Sequence, residues 1–163
     1  MATTTEAAIR NTIAAQIAAL TPALQANDKF REHRYDDPKG FIAWATKNPD
    51  AAYRMFSVLD IVDGFIAETT NTTEEWRQVT IEVLVAYPVT GRYGSGAAGA
   101  RNRTEVIRSD QYQIETATGL RGYQNVANAT YLVDRSEPIA LVDGDGVSFL
   151  RGTLVYGFYK ALT

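Results

Sequence analysis

The chain has 163 residues, with 16 Lys and Arg against 19 Asp and Glu, a formal net charge of -3 and 45% apolar residues. These values are ordinary for a folded domain and exclude a collagen, a disordered acidic tail and a polycation. The absence of cysteine excludes disulfide frameworks, cysteine-ligated metal sites and thiol nucleophiles, and a single histidine, His33, excludes a two-histidine metal site within one chain. We therefore expect one domain over residues 1–163, with no cofactor and no metal.

The first segment predicts an amphipathic helix. Residues 3–6 offer a threonine N-cap with a glutamate three positions on, the capping-box pattern. Four apolar residues then recur at spacings of four, four and three and share one face: Ile9, Ile13, Ile17 and Leu20. Thr21–Pro22 should end the helix, because the residue before proline avoids helical geometry. Glu6, Arg10 and Asn11 interrupt the apolar residues, so we expect neither a signal peptide nor a membrane span.

The middle of the chain predicts short elements. Residues 29–35 are charged and aromatic, which is typical of an edge strand, and 36–38 form a turn or helix start. A short helix should follow from 41 and end near 48–49, and the apolar run 53–62 predicts a strand with a turn at 63–64.

The clearest pattern lies in residues 73–89. Val79, Ile81, Val83, Val85 and Tyr87 alternate with other side chains, which predicts a strand with one buried face, in an antiparallel sheet. A glycine-rich loop over 90–100 should lead to a second helix at 103–118, with Gly119 as its stop.

Two further strands should close the chain, at 130–142 with an interruption at Pro138 and at 147–162 in the middle of the sheet, joined by a hairpin turn at 143–146. Together, the elements predict an α+β domain with a mostly antiparallel sheet of about four to five strands and two main helices packed on it.

Gly94, Gly96 and Gly99 fit the dinucleotide-binding pattern G-x-G-x-x-G. Six residues separate the preceding strand from these glycines, whereas the dinucleotide turn is tight, and no βαβ unit precedes them. We therefore expect a mobile loop without a nucleotide. The turn at 143–146 lacks the later ligands of a calcium loop. Because no nucleophile, base and oxyanion hole can be assembled, we expect no enzymatic activity.

Two groups of residues are candidates for contacts with other chains. The first is an arginine-rich group around the glycines that could touch phosphates or another protein, or simply face solvent: Arg92, Tyr93, Arg101, Arg103 and Arg108. The second is Phe65 and Ile66, at the expected tip between two strands, where apolar side chains often dock into another chain.

Several short segments resemble the tail-terminator (tail-completion) proteins of long-tailed bacteriophages. They are MATTTEAAIR (1–10), LTP (20–22), DKFR (28–31), FSV (56–58), NTTEE (71–75), AYP (86–88) and RYG (92–94), with Tyr156, Phe158 and Tyr159 in the last strand. The resemblance covers most of the chain, although its motifs are structural and carry no chemistry.

This resemblance implies an α+β subunit of a ring, typically of six copies, that caps the tail tube and joins it to the head. The implied partners are further copies of the chain, the major tail tube protein and the head-side connector or head-closure protein, with DNA passing through the lumen. The protein would be assembled in the host cytoplasm and reside in the virion. The alternatives are another neck component (a head-closure or adaptor protein), a small-ligand-binding module that uses residues 94–99, and an unrelated host structural protein.

Overall fold

The computed structural model of the protein describes residues 2–61, 73–88, 91–119, 126–143 and 146–162. The helices are α1 (Glu6–Ala18), α2 (Pro38–Lys47), α3 (Pro49–Ala52) and α4 (Gly96–Ala117). The strands are β1 (Arg31–Glu32), β2 (Met55–Ile61), β3 (Glu74–Pro88), β4 (Thr130–Tyr131), β5 (Glu137–Asp143) and β6 (Val147–Ala161). Short 3-10 helices cover Gly91–Tyr93 and Val133–Arg135.

The described strands form one six-stranded sheet in the order β1-β2-β3-β6, with β4 and β5 both paired to the far side of β6. β3 and β6 pair along fifteen residues each, from Glu74 opposite Ala161 to Pro88 opposite Val147. All pairs are antiparallel except β1 with β2. The predicted α+β class, the antiparallel β3 and the central β6 are therefore confirmed.

Helices cover both faces of the sheet. α1 and α4 pack on one face, where Ile9, Ile13 and Ile17 of α1 are fully buried in one cluster with Val58 of β2 and alternate residues of β3, including Val79 and Ile81. On the other face, α2 and α3 bury a smaller cluster that contains Phe41, Ala45, Ala52, Leu84, Ala86, Val147 and Phe149. Leu84 and Ala86 are even-numbered residues of β3 and lie on the face opposite the odd-numbered ones. The strand is therefore apolar on both faces where α2 covers it.

The cap of α1 differs from the predicted capping box. Thr5 is the N-cap, and its hydroxyl accepts a hydrogen bond from the Ala8 amide at 3.1 Å. Glu6 reaches across to Lys160 at the end of β6, at 3.0 Å, and to Arg77 of β3. The carboxylate makes these two cross-element ion pairs, so it fastens the start of the helix to the sheet.

Three other predictions differ from the structure. The edge strand expected at 29–35 is reduced to β1, and the short helix α3 was not predicted. The strand expected at 130–142 is split into β4 and β5, because the 3-10 helix between them turns the chain where Ser136 accepts a hydrogen bond from the Val155 amide. The turn at 63–64, and residues 144–145 of the turn at 143–146, lie outside the described residues.

Candidate interface on helix α4

The glycine motif forms the beginning of α4. The helix starts at Gly96, seven residues before the predicted start, so the expectation of a mobile loop through residue 100 is wrong. A β-carbon on Gly99 would lie 2.5 Å from the carbonyl oxygen of Gly94, which has a φ of +95°. Gly99 therefore lets the first turn of the helix press against the backbone before it, which accounts for Gly94 and Gly99 by packing, while Gly96 adopts a positive φ of +65°.

A buried ion pair fixes α4 to the sheet. Arg54, which precedes β2, donates from Nε and Nη2 to the two carboxylate oxygens of Asp110 in α4, at 2.8 and 2.9 Å. Both side chains have 0% exposure. The hydroxyl of Tyr87, near the end of β3, donates to the same carboxylate at 2.7 Å. The Asp110 carboxylate thus joins α4 to β3 and to the residue that precedes β2.

The same guanidinium also holds the segment between α1 and β1. Its Nη1 donates to the carbonyl oxygens of Gln25 and Asp28, and its Nη2 donates to that of Leu24, at distances of 2.7 to 2.8 Å. These five hydrogen bonds use all five N–H donors of the guanidinium, so arginine fits this site and lysine does not. The backbone of Arg54 has a φ of 57°, a conformation unusual for a residue with a side chain.

The ionisation of these groups follows from their burial. Burial lowers the pKa of Arg54, but the hydrogen bonds to Asp110 and the charges of that carboxylate and of the neighbouring groups together outweigh that effect and raise the pKa above its ordinary value. Burial and the neighbouring carboxylate raise the pKa of the Tyr87 hydroxyl well above its usual range. The site therefore holds a permanently charged arginine and a neutral tyrosine away from solvent, an arrangement that positions α4.

Arg92 and Tyr93 are bound within the chain. The Arg92 guanidinium forms an ion pair with Asp28 at 3.1 Å and lies 4.5 Å from the centre of the Tyr53 ring. Tyr93 packs edge-on against the same ring, and only 4% of its surface is exposed. The Tyr93 side chain is therefore not part of an accessible contact surface, contrary to the expectation from the sequence.

Arg103 is a second arginine that ties elements together. It donates to the carbonyl oxygen of Tyr87 and to the hydroxyl of Ser148 in β6. Arg103 is half-buried. The contacts of Arg92 and Arg103 therefore lie mainly within the chain, where they connect α4 and the segment before it to the rest of the fold.

Arg101 and Arg108 lie on the exposed side of α4. Neither makes an ion pair or side-chain hydrogen bond with the described part of the chain, and Tyr112, 56% exposed, lies on the same stripe. Successive spacings of seven and four residues place Arg101, Arg108 and Tyr112 on one side of the helix, opposite the face that carries Asp110. We name Arg101, Arg108 and Tyr112 the α4 stripe; Glu105 is exposed beside it. Sequence reasoning missed Tyr112.

Phe65 and Ile66 lie outside the described residues. In the ranges that the structure describes, no group of three or more His, Asp and Glu side chains is placed to hold a metal ion. No helix in those ranges is both long enough and apolar enough to cross a membrane. The sequence matches no protein-family model and no curated protein sequence.

Proposed function

We propose that this protein is a subunit of the ring that caps the tail tube of a long-tailed bacteriophage, stops tail polymerisation and forms part of the head–tail joint. It acts as a structural virion protein without enzymatic activity, after assembly in the host cytoplasm. Its partners are further copies of itself, most simply six in a ring, the major tail tube protein and a head-side connector or head-closure protein. DNA passes through the lumen without sequence-specific binding.

The observation that carries this proposal is a long, rigidly held helix with a contact surface on its outer side. α4 has 22 residues, a length of about 33 Å. Its inner side is fixed by Asp110 and its outer side presents the α4 stripe. Arginine and tyrosine are among the residue types most enriched in protein–protein contacts that carry binding energy. The segment resemblance to tail terminators supplies the kind of partner.

Rigidity makes this surface suited to ending a polymer. A tube of stacked identical rings does not close on itself and grows until another protein occupies its end. The occupant must match the tube on one face and prevent further addition on the other. Because Gly96–Ala117 is already helical, docking does not incur the cost of about 1 to 2 kcal/mol per residue for ordering a loop backbone.

The α4 stripe is tested by replacing Arg101 and Arg108 with alanine in one variant. We expect normal folding, because both side chains are exposed, and a larger fraction of overlong tubes and of filled heads without tails. The matched control replaces two exposed lysines of α2, Lys39 and Lys47, with alanine, and should leave tails normal. Normal tail length and head joining with the arginine variant would remove the α4 stripe from the contact.

The apolar tip expected at Phe65 and Ile66 remains a second candidate contact. Phe65→Asp should weaken the ring, since docking would bury an unpaired charge. Native mass spectrometry of the variant, alone and mixed with tail tubes, measures the copy number. Unchanged assembly in both conditions would exclude Phe65 from the interface.

A further inference from the structure

The two edges of the sheet carry opposite charges. At the β1 edge, Lys29, Arg31 and Arg34 are exposed. The one carboxylate between them, Glu32, is paired with Arg10 of α1 and lies 3.5 Å from the Arg34 guanidinium, whose side chain is 74% exposed. Lys29, Arg31 and Arg34 therefore keep positive charge on the exposed side of this edge.

At the opposite edge, two exposed carboxylates precede and begin β5, Asp134 and Glu137. The guanidinium between them, Arg135, is bonded to Gln78 of β3 and so is held toward the sheet. In the described residues, β5 pairs with β6 on one side and no strand pairs with its outer side. No described strand therefore covers this acidic edge at one end of the sheet, and the basic edge lies at the other.

The β5 edge also carries exposed apolar groups. Leu141 and Val142 of β5 are each 45% exposed, on opposite faces of the strand. An exposed apolar edge strand is a template for pairing with another chain unless something covers it.

We propose that the β5 edge of one copy pairs with the β1 edge of the next copy, so that the sheet continues from subunit to subunit. Arg31 and Arg34 then face Glu137 and Asp134 of the neighbour, respectively. That the assembly caps a tail rests on the proposed function; the contact itself rests on the charges and on the β5 edge that no described strand covers.

The strand directions define the geometry of this contact. β1 runs parallel to β2, β2 antiparallel to β3, β3 antiparallel to β6, and β6 antiparallel to β5. β1 and β5 therefore run in opposite directions. Copies related by rotation about an axis along the strands meet with these two edges antiparallel. The contact joins two different surfaces, so repeating it gives a closed ring or an open chain.

Two charge-reversal variants test the contact in the isolated protein. The first carries Arg31→Glu and Arg34→Glu, and the second carries Asp134→Arg and Glu137→Arg. Each alone should lose self-association by about 100-fold or more, because like charges then oppose each other at every contact. Their mixture should associate again, since the acidic β5 edge of the first variant still meets the basic β1 edge of the second, and the reversed pair is also complementary.

The matched control reverses two exposed cations of α2 outside both edge strands, Lys39→Glu with Lys47→Glu, and should associate like the wild type. Circular dichroism and thermal melts confirm that all variants fold, and light scattering and native mass spectrometry measure association. Restored association in the mixture, with an even number of alternating subunits, supports the proposal. A wild-type chain that stays monomeric up to its solubility limit, variants that associate normally alone, or a mixture that stays dissociated overturns it.

This outcome is independent of the proposed function. A chain that associates through these edges but whose loss leaves tails normal would retain the edge contact and refute the tail-capping function. A chain that caps tails but passes none of the mixing tests would retain the tail-capping function and refute the edge contact.

Discussion

The buried ion pair between Arg54 and Asp110 allows a quantitative prediction. Asp110→Asn keeps the shape of the side chain but removes its charge, leaving the Arg54 guanidinium at 0% exposure without a counter-charge. Breaking a buried pair by removing one partner costs about 3 to 5 kcal/mol. The whole domain is held by about 5 to 15 kcal/mol, so this single change removes a large share of its stability.

Replacing both partners should cost less than the sum of the two single changes. Arg54→Met leaves the Asp110 carboxylate buried with only the Tyr87 hydroxyl as partner, while the double variant has no unpaired charge. We expect a coupling of about 1 to 3 kcal/mol. The double variant still loses the three backbone contacts of Leu24, Gln25 and Asp28, so it should remain less stable than the wild type.

Urea denaturation with linear extrapolation measures all four proteins in the cycle. Asp50→Asn in α3 is the control, because that side chain is exposed and the change should stay within about 0.5 kcal/mol. If Asp110→Asn also stayed within about 0.5 kcal/mol of the wild type, or if the two single changes simply added, the ion pair would not be what holds α4 in place.

Three further predictions concern the same fold. Gly99→Ala should destabilise the protein by about 1 to 3 kcal/mol in urea denaturation, because the new β-carbon meets the Gly94 carbonyl; a stabilised variant, as helix propensity alone would give, contradicts this packing. Burial raises the pKa of Glu6, but a backbone hydrogen bond together with the contacts to Lys160 and Arg77 outweighs that effect and lowers the pKa below its ordinary value, so the contribution of Glu6 to stability is present at neutral pH and is lost as pH falls through the lowered value. Glu6→Gln should therefore be less stable than the wild type at pH 7 and approach it in acid, and a gap that is constant across pH would refute this. NAD, ATP and GTP should produce no shift in the melting temperature; a saturable increase of several degrees with any of them would restore the nucleotide-site alternative.

The long regular elements could be predicted from sequence because their periodicity is strong. Ile9, Ile13 and Ile17 mark the buried face of α1, and alternation from Val79 to Tyr87 marks β3; both positions are as expected. Gly119 ends α4 with a φ of +80°, as its position indicated. The start of α4 could not be predicted, because glycine favours loops and only the close approach to Gly94 shows why Gly99 belongs in a helix.

The charged centre of the fold was missed for a different reason. Arg54 and Asp110 lie 56 residues apart, and no local pattern pairs them. A signal was nevertheless present, because Asp110 lies on the apolar stripe of α4 with Val106 and Ile114, four residues away on either side. A carboxylate at such a position needs a buried partner, and Arg54, at the head of an apolar strand, is a cation in a comparable setting. No pattern in the sequence shows that Arg92 and Arg103 are held by contacts within the chain, so both were expected to contact other chains.

The tail-capping function is tested most directly by electron microscopy of particles made with and without this protein. Lengths of tails and their attachment to heads should be scored in both populations, and a plasmid-borne copy should restore the wild-type distribution. We expect particles made without the protein to be filled heads lacking tails, together with tubes of broadly distributed, excessive length. Tails of normal length that are joined to heads in its absence would contradict the proposed function.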